Sequence, residues 1–249
     1  MNGVRGTASV IAESLLRLLY PARCRSCGSD LAGDSRFFCS TCLDDIKYLE
    51  GPHCTGCGRP FPSGSGADHQ CWECMKRTPA FDMARAPVAF GGSVRTAIHL
   101  FKYERQRAMM GFLGGFMEDA AARWSGGATL VVAVPLHKRR LRHRGFNQSL
   151  FLAERAAVKL GVPLSLDALT RTRYTRPQVD LDPSEREKNV RGAFSVTRPD
   201  EVKGQSVILV DDVYTTGATV NECARVLKKA GAKSVRVLTV AMAVDSRSL

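Results

Sequence analysis

Three apolar runs in the second half of the chain have the length and composition of buried strands. They span residues 130–135, 207–210 and 235–244 and are rich in valine, isoleucine and leucine. Continuous runs of this kind are typical of strands buried on both faces of a parallel sheet. Helical patterns follow the first two runs, over about residues 147–160 and 219–231. The pattern therefore predicts an α/β domain in which strands and helices alternate.

The first part of the chain has a different pattern. Residues 1–22 show a helical spacing of apolar positions, which predicts an amphipathic helix that packs on the rest of the protein or on a partner. Residues 23–77 are rich in cysteine, and residues 78–86 are the predicted linker. Residues 87–249 then form the α/β domain and are numerous enough to bury a core. No apolar run approaches the length of a membrane span.

Eight of the nine cysteines form four Cys-x-x-Cys pairs. Two such pairs complete a tetrahedral zinc site, which stabilises a segment too small for a core, so we expect a double zinc ribbon. Disulfides are the alternative. Because Glu13 and Arg17 interrupt the early apolar stretch, it lacks the pattern of a secretory signal, and we expect a reducing cytoplasm and therefore metal. The simplest arrangement is sequential, and an interleaved one is the alternative. The sequential ligands are Cys24, Cys27, Cys39 and Cys42 for one zinc ion, and Cys54, Cys57, Cys71 and Cys74 for the other.

A pair of acids follows the apolar run at residues 207–210. Ligands of open α/β sheets bind outside the carboxyl ends of the strands, where two carboxylates accept hydrogen bonds from sugar hydroxyls or hold a hydrated magnesium ion. The next residues suit a phosphate group, because glycine permits a tight turn and the hydroxyls and helix N-terminus favour an anion. The acids are Asp211 and Asp212, and the phosphate loop consists of Thr215, Thr216, Gly217, Ala218 and Thr219.

Residues 207–219, Val-Ile-Leu-Val-Asp-Asp-Val-Tyr-Thr-Thr-Gly-Ala-Thr, resemble the signature of type I phosphoribosyltransferases. The resemblance implies phosphoribosyl pyrophosphate as ligand, with the two acids at the ribose 2′- and 3′-hydroxyls and the phosphate loop at the 5′-phosphate. Tyr214 departs from the family, in which this position is usually aliphatic. Thr215 stands where enzymes acting on 6-oxopurines carry an aspartate, so purine salvage is disfavoured and the catalytic residue is unassigned.

A strongly basic stretch, residues 136–148, follows the first predicted strand. We expect a loop that places positive charge over the same edge of the sheet as the acid pair, and a solvated charged surface is the alternative. By position, the resemblance to type I enzymes implies that Leu136, His137 and Lys138 bind pyrophosphate.

Two further basic regions have less specific patterns. Residues 171–191 contain prolines and little periodicity, which predicts a mobile hood that closes over substrate or a long surface connection. His99 and Lys102 have no predicted role beyond packing and surface charge.

The net charge of +12 suggests a polyanionic partner. Nucleic acid is the candidate, because arginine-rich segments follow its phosphate backbone. The aromatic residues near the charge are too scattered along the chain to predict a stacking platform. The predicted nucleic-acid contacts are Arg139, Arg140, Arg142 and Arg144.

Several segments together resemble the ComF/ComFC family. They are the cysteine pairs, Phe-Lys-Tyr at residues 101–103, Arg-Gly-Phe-Asn-Gln at 144–148, Asn-Val-Arg-Gly-Ala-Phe at 189–194 and the acid pair. The resemblance covers nearly the whole chain from Cys24 onward. It implies an α/β fold, with a type I phosphoribosyltransferase-like parallel sheet that has helices on both faces, preceded by a small cysteine-rich double zinc-ribbon module.

The family resemblance also implies a cytoplasmic role in natural transformation. A protein of this kind binds phosphoribosyl pyrophosphate with magnesium and handles single-stranded DNA together with DNA-uptake proteins. An active type I phosphoribosyltransferase that uses an unidentified acceptor, without a DNA role, is the alternative. Glutamine-dependent amination is disfavoured because Asn2, and not a nucleophilic cysteine, follows Met1.

Overall fold

A computed structural model describes residues 22–31, 36–62, 66–103, 108–176 and 182–244. Residues 1–21, nearly all of the segment predicted to be an amphipathic helix, lie outside these ranges. Within them the chain forms two small cysteine-rich modules followed by an α/β domain. The modules contain the short helices α1 (Ser40–Asp44) and α2 (Trp72–Lys76).

The strands of the described residues build one parallel sheet and one short hairpin. They are β1 (Met83–Arg85), β2 (Val88–Ala89), β3 (Leu130–Ala133), β4 (Leu164–Ser165), β5 (Leu169–Arg171), β6 (Phe194–Val196), β7 (Ser206–Tyr214) and β8 (Ser234–Met242). The sheet has the order β1, β8, β7, β3, β4, and β2 also pairs with β8. All of its pairs are parallel, whereas β5 and β6 pair antiparallel.

The three predicted strands are confirmed as β3, β7 and β8. Their apolar runs explain why they occupy the middle of the sheet, where both faces are buried. The strand β7 continues through the acid pair instead of ending before it, because Asp211 and Val213 still pair with Thr239 and Ala241 of β8.

The helices of the α/β domain include the two predicted ones and several that the sequence did not predict, one of them within residues 171–191, the segment predicted to be a mobile hood or a long surface connection. They are α3 (Gly92–Tyr103), α4 (Met109–Trp124), α5 (Lys138–Arg144), α6 (Gln148–Leu160), α7 (Pro183–Val190), α8 (Pro199–Val202) and α9 (Ala218–Lys229). The predicted helices at residues 147–160 and 219–231 are confirmed as α6 and α9. The helix α6 begins after Asn147, whose side chain accepts a hydrogen bond from the Ser149 backbone N–H, and ends at Gly161, whose φ is +66°.

The basic stretch is a helix, so the prediction of a loop there is wrong. Lys, Arg and Leu are good helix formers, and their propensity outweighs charge repulsion over the seven residues of α5. The ring of His137 caps the N-terminus by accepting a hydrogen bond from the Arg139 N–H, and Gly145 ends the helix with a φ of +85°.

The two faces of the sheet pack different halves of the protein. Successive residues of a strand point to opposite faces, so Val207 and Leu209 join one core and Ile208 and Val210 the other. The first core contains α9, the β5–β6 hairpin and the second cysteine module. The second core contains α3, α4, α6 and part of the first cysteine module. The prediction of helices on both faces is confirmed, and each cysteine module packs into a different core.

The predicted linker, residues 78–86, contributes a strand to the sheet. Asp82 fixes its start, because its backbone and carboxylate exchange hydrogen bonds of 2.8 and 2.6 Å with Val235 of β8. The Ala84 N–H donates to the Gly56 carbonyl at 2.7 Å, which joins the second cysteine module to the same strand. The module is therefore attached to the sheet through backbone hydrogen bonds.

Candidate functional site

The eight paired cysteines form two clusters in sequence order. Within each cluster the four sulfur atoms lie within 4.8 Å of one another. The clusters are Cys24, Cys27, Cys39 and Cys42, and Cys54, Cys57, Cys71 and Cys74. The sequential arrangement, predicted as the simplest one, is therefore confirmed. The ninth cysteine, Cys223, lies fully buried in α9.

The donor set of each cluster fits a structural zinc ion. Four thiolates at this separation match a tetrahedral Cys₄ site. The sulfur atoms of Cys27 and Cys39 are 3.6 Å apart and those of Cys57 and Cys71 are 3.7 Å apart, which is too long for disulfide bonds. The N–H of Cys71 donates to the sulfur of Cys54 at 3.3 Å, which orients that ligand.

A cavity of about 620 Å³, the site cavity, opens at the carboxyl edge of the sheet. Its wall combines the end of α3, the segment after β3, α5, the start of α6, β5 with the segment after it, β7 and the start of α9. One lysine, four arginines and two carboxylates line it, together with His143, so the lining carries excess positive charge. The lysine and arginines are Lys102, Arg139, Arg140, Arg144 and Arg171, and the acids are Asp211 and Asp212.

The acid pair lies at one side of the site cavity, and the predicted basic stretch lines the same cavity. Asp211 accepts hydrogen bonds from the Ser149 hydroxyl at 2.8 Å and from the Asp212 backbone N–H at 2.9 Å. Burial, followed by the neighbouring Asp212 carboxylate, raises the pKa of Asp211 to about 7. Near neutral pH the pair can therefore exchange a proton or bind a cation.

Lys102 contacts the acid pair, a role that the sequence did not predict. Its Nζ lies 2.7 Å from Oδ2 of Asp212, and the two side chains are only 22% and 12% exposed. The position at the C-terminus of α3 also suits a cation, because the helix dipole is negative there. The Phe-Lys-Tyr segment is the only sequence signal for Lys102, since its partner lies far along the chain.

The arginines of the lining form hydrogen bonds of their own, and two of them bond to Thr175, in the segment after β5. Arg140 donates to the Thr175 carbonyl at 2.9 Å, and Arg144 donates to Oε1 of Gln148 at 2.9 Å. Arg171, on β5, donates to the Thr175 hydroxyl. Burial, followed by repulsion from Arg140, lowers the pKa of Arg171 to about 10, so it is still cationic at neutral pH.

Two buried donors in the lining of the site cavity lack hydrogen-bond partners. They are Nε2 of Gln148 and Nε of Arg171, and their residues are 1% and 7% exposed. A buried donor without an acceptor costs about 1–3 kcal/mol. Both atoms belong to side chains that face the same cavity.

The phosphate loop divides the site cavity from a second cavity of about 530 Å³. Thr219 lines the site cavity, whereas the four preceding residues of the loop line the second one. Gly217 has a φ of +76°, and a Cβ at this position would collide with the Tyr214 hydroxyl. The other wall of the second cavity includes Cys57 and Cys74, so the loop lies between the ligand site and the second zinc ribbon.

The structure distributes the remaining predicted site residues unequally. Leu136 lines the site cavity, whereas His137 caps α5 and Lys138 is exposed outside the lining. Of the four arginines predicted to contact nucleic acid, three line the site cavity and Arg142 is exposed on the outer side of α5. The site cavity therefore contains most of the arginines predicted to contact nucleic acid, together with Leu136 of the predicted pyrophosphate site.

Comparison with known proteins identifies both parts of the chain. The double zinc ribbon domain matches residues 15–75, and the phosphoribosyl transferase domain matches residues 147–248. The DNA utilization protein YhgH of Salmonella typhimurium is 32% identical over 225 residues, which are 88% of this chain and 96% of that protein. Competence protein F of Haemophilus influenzae is 30% identical over 227 residues, or 89% and 97% of the two chains. The chain belongs to the ComF/ComFC family.

Membership of the ComF/ComFC family confirms the predicted fold class and the two-part organisation. Competence protein ComFC of Streptococcus pneumoniae is a more distant relative, 26% identical over 84% of this chain and 90% of that protein. The two cysteine clusters are the zinc ribbons of the family, and the acid pair and phosphate loop belong to its phosphoribosyl transferase domain. In the ranges that the structure describes, no helix is long and apolar enough to cross a membrane.

Proposed function

We propose that this ComF/ComFC protein binds phosphoribosyl pyrophosphate with magnesium in the site cavity and handles single-stranded DNA in the cytoplasm during natural transformation. One observation carries the proposal. The acid pair and a group of arginines line the same cavity, which also contains two buried donors without acceptors. A sugar with phosphate groups matches this arrangement, because its hydroxyls suit the carboxylates and its phosphate oxygens suit the arginines.

Each end of the proposed ligand has residues to hold it. Asp211 and Asp212 would accept hydrogen bonds from the ribose hydroxyls or hold magnesium, which prefers oxygen ligands and binds together with substrate phosphates. Arg140 and Arg171 supply fixed positive charge for the pyrophosphate group. Thr219, the residue of the phosphate loop that lines the site cavity, would hold the 5′-phosphate together with the N-terminus of α9.

The DNA role rests on charge and on the relatives. The chain carries a net charge of +12, which favours association with a polyanion. One relative is named DNA utilization protein and two are named competence proteins. Arg139, Arg140 and Arg144 lie together on α5 and can contact successive phosphates. Partner proteins of DNA uptake belong to the same proposal.

Isothermal titration calorimetry tests the ligand. Phosphoribosyl pyrophosphate with magnesium is titrated into the zinc-loaded wild type, into the double variant Asp211→Asn/Asp212→Asn, and into Asp119→Asn. Asp119 is a matched control, because it is a surface carboxylate that pairs with Arg123 on α4. We expect binding to the wild type and the control and its loss in the double variant. Absence of binding to the wild type, or equal binding to the double variant, would contradict the proposal.

Phosphoribosyl transfer to an unidentified acceptor is a second candidate function. Asp211 favours it, because a carboxyl group with a pKa of about 7 can exchange a proton at neutral pH. In such a reaction the acceptor's nucleophile forms a bond to ribose C1, pyrophosphate leaves with the bonding electrons, and the nucleophile loses its proton to a base. Pyrophosphate release in the presence of amine and nucleobase acceptors is the measurement that separates transfer from binding alone.

A further inference from the structure

Two exposed tyrosines flank the site cavity. Tyr103 ends α3 and Tyr174 follows β5, and both line the cavity although they lie far apart in the sequence. They are 56% and 45% exposed. Aromatic residues that are scattered along the chain are thus brought to one opening, which the sequence did not predict.

Each tyrosine ring has a guanidinium group against it. The Arg144 guanidinium carbon lies 5.2 Å from the centroid of the Tyr103 ring, and that of Arg139 lies 5.0 Å from the centroid of the Tyr174 ring. A cation at this distance is attracted by the ring electrons and holds the ring in place. Single-strand binding sites combine such rings, on which bases stack, with cations that follow the backbone.

The interior of the cavity suits a phosphate group. Gln148, Arg171 and Arg140 belong to the same lining as the tyrosines. The two guanidinium groups offer charge-assisted contacts to a phosphodiester oxygen, and the Gln148 amide adds a neutral donor. A ribose-linked pyrophosphate would need the same donors, so one cavity offers its anion-binding groups to two kinds of ligand.

We propose that single-stranded DNA binds at the mouth of the site cavity, with bases stacked on Tyr103 and Tyr174 and a backbone phosphate at Arg171 and Gln148. Phosphoribosyl pyrophosphate and DNA then exclude each other. The mutual exclusion rests on the proposed function, because it requires phosphoribosyl pyrophosphate to bind in the cavity. The stacking of bases on the two tyrosines, here called the stacking platform, does not depend on that binding. Duplex DNA does not fit this platform, because its bases are already stacked and paired.

Fluorescence anisotropy with a labelled thymidine oligonucleotide of about 15 nucleotides tests the platform. We expect Tyr103→Ala and Tyr174→Ala each to weaken binding about tenfold, since one base stack is lost. Tyr103→Phe and Tyr174→Phe preserve the stacking ring and bind as the wild type does. Tyr48→Ala is the matched control, because Tyr48 is 52% exposed and packs against Phe116 outside the site cavity. Wild-type affinity of both alanine variants, or equal affinity for a hairpin duplex, would overturn the platform.

A competition experiment tests the exclusion. A saturating concentration of phosphoribosyl pyrophosphate with magnesium is expected to raise the apparent dissociation constant of the oligonucleotide at least about tenfold. In the Asp211→Asn/Asp212→Asn variant, which is expected not to bind the competitor, the ratio of the DNA dissociation constants measured with and without competitor is expected to be about one. An unchanged DNA affinity of the wild type, at a competitor concentration that calorimetry shows to saturate, would refute the exclusion. If calorimetry detects no ligand binding, the proposed function and the exclusion both fail, and the tyrosine variants still decide the DNA site.

Discussion

The ammonium nitrogen of Lys102 lies 2.7 Å from a carboxylate oxygen of Asp212. This contact joins the C-terminus of α3 to β7 in the lining of the site cavity. The ammonium group compensates one of two adjacent negative charges. It lowers the pKa of Asp211, whereas burial and the Asp212 carboxylate raise it. A cation of the protein itself therefore offsets part of the cost of burying the acid pair.

Replacement of Lys102 by methionine is expected to destabilise the protein. The change leaves two neighbouring carboxylates without their cation, and removal of one partner of a mostly buried pair costs about 2–4 kcal/mol. Urea denaturation at pH 8 measures this loss. Lys47→Met is the control, because Lys47 and Asp45 form a pair that is 60% and 70% exposed, and such pairs contribute less than about 1 kcal/mol. Equal losses in both variants would argue against the role of Lys102.

Stability should depend on the ionisation of Asp211. Its pKa is raised from 3.8 to about 7 in the folded protein, so the folded state binds this proton more tightly than the unfolded state. The stability that the proton confers is complete below pH 4 and is lost as pH rises to about 7. We expect Asp211→Asn to flatten this decline and to be more stable than the wild type at pH 8, by about 1–4 kcal/mol. Denaturation at pH 4 to 8 checks the slope, and parallel curves would contradict the assignment.

Affinity for the proposed ligand should rise as Asp211 loses its proton, whereas stability falls. Magnesium requires an ionised carboxylate, and a protonated Asp211 cannot hold it. Calorimetric affinity for phosphoribosyl pyrophosphate with magnesium is therefore expected to rise between pH 6 and pH 8, around the pKa of about 7. The Asp211→Asn variant should lack this rise. A wild-type affinity that is constant over this range would show that Asp211 is not titrated in the site.

The turn at Gly217 should not tolerate a side chain. Gly217→Ala imposes a residue with a φ of +76° and a collision with the Tyr214 hydroxyl, and we expect a loss of about 1–3 kcal/mol. Tyr214→Val removes the collision but leaves the backbone strain. In a double-mutant cycle the combined cost should be about 1 kcal/mol less than the sum of the single costs. Additive costs would mean that the loop moves away from Tyr214 freely.

The second zinc ribbon should matter more for ligand binding than the first. Cys57 and Cys74 line the second cavity together with the phosphate loop, whereas the first cluster packs into the core on the other face of the sheet. We expect Cys74→Ser to weaken phosphoribosyl pyrophosphate binding at least about fivefold, and Cys42→Ser to have little effect. Zinc content and thermal denaturation verify that each variant is folded with one ion lost. Equal effects on affinity would contradict a specific coupling.

The arginines of α5 should differ in their contribution to DNA binding. Arg140 and Arg144 line the site cavity, and Arg142 is exposed outside it. Replacement of either lining arginine by alanine is expected to lower the salt dependence of single-strand binding by about 0.7 in the logarithmic slope, the value for one lost phosphate contact. Arg142→Ala changes the net charge equally and is the control. A similar slope for all three variants would indicate a diffuse electrostatic surface.

Features that depend on short segments could be predicted from the sequence. The apolar runs specify β3, β7 and β8 because a strand buried on both faces needs continuous hydrophobic residues. The cysteine pairs specify two zinc sites, since each knuckle is local and carries its own ligand spacing. The acids at residues 211 and 212 and the glycine turn after them are likewise local, and they identify the type of domain.

The tertiary structure alone decided which distant residues share a site. The contact between Lys102 and Asp212, and the presence of Tyr103 and Tyr174 in one cavity lining, arise because the end of α3 and the segment after β5 pack around the carboxyl edge of the sheet, where β7 ends. The basic stretch forms a helix because the helix propensity of its residues and the two end caps outweigh the repulsion between its positive charges. The attachment of each zinc ribbon to a different face depends on strand alternation across the assembled sheet, which no single segment encodes.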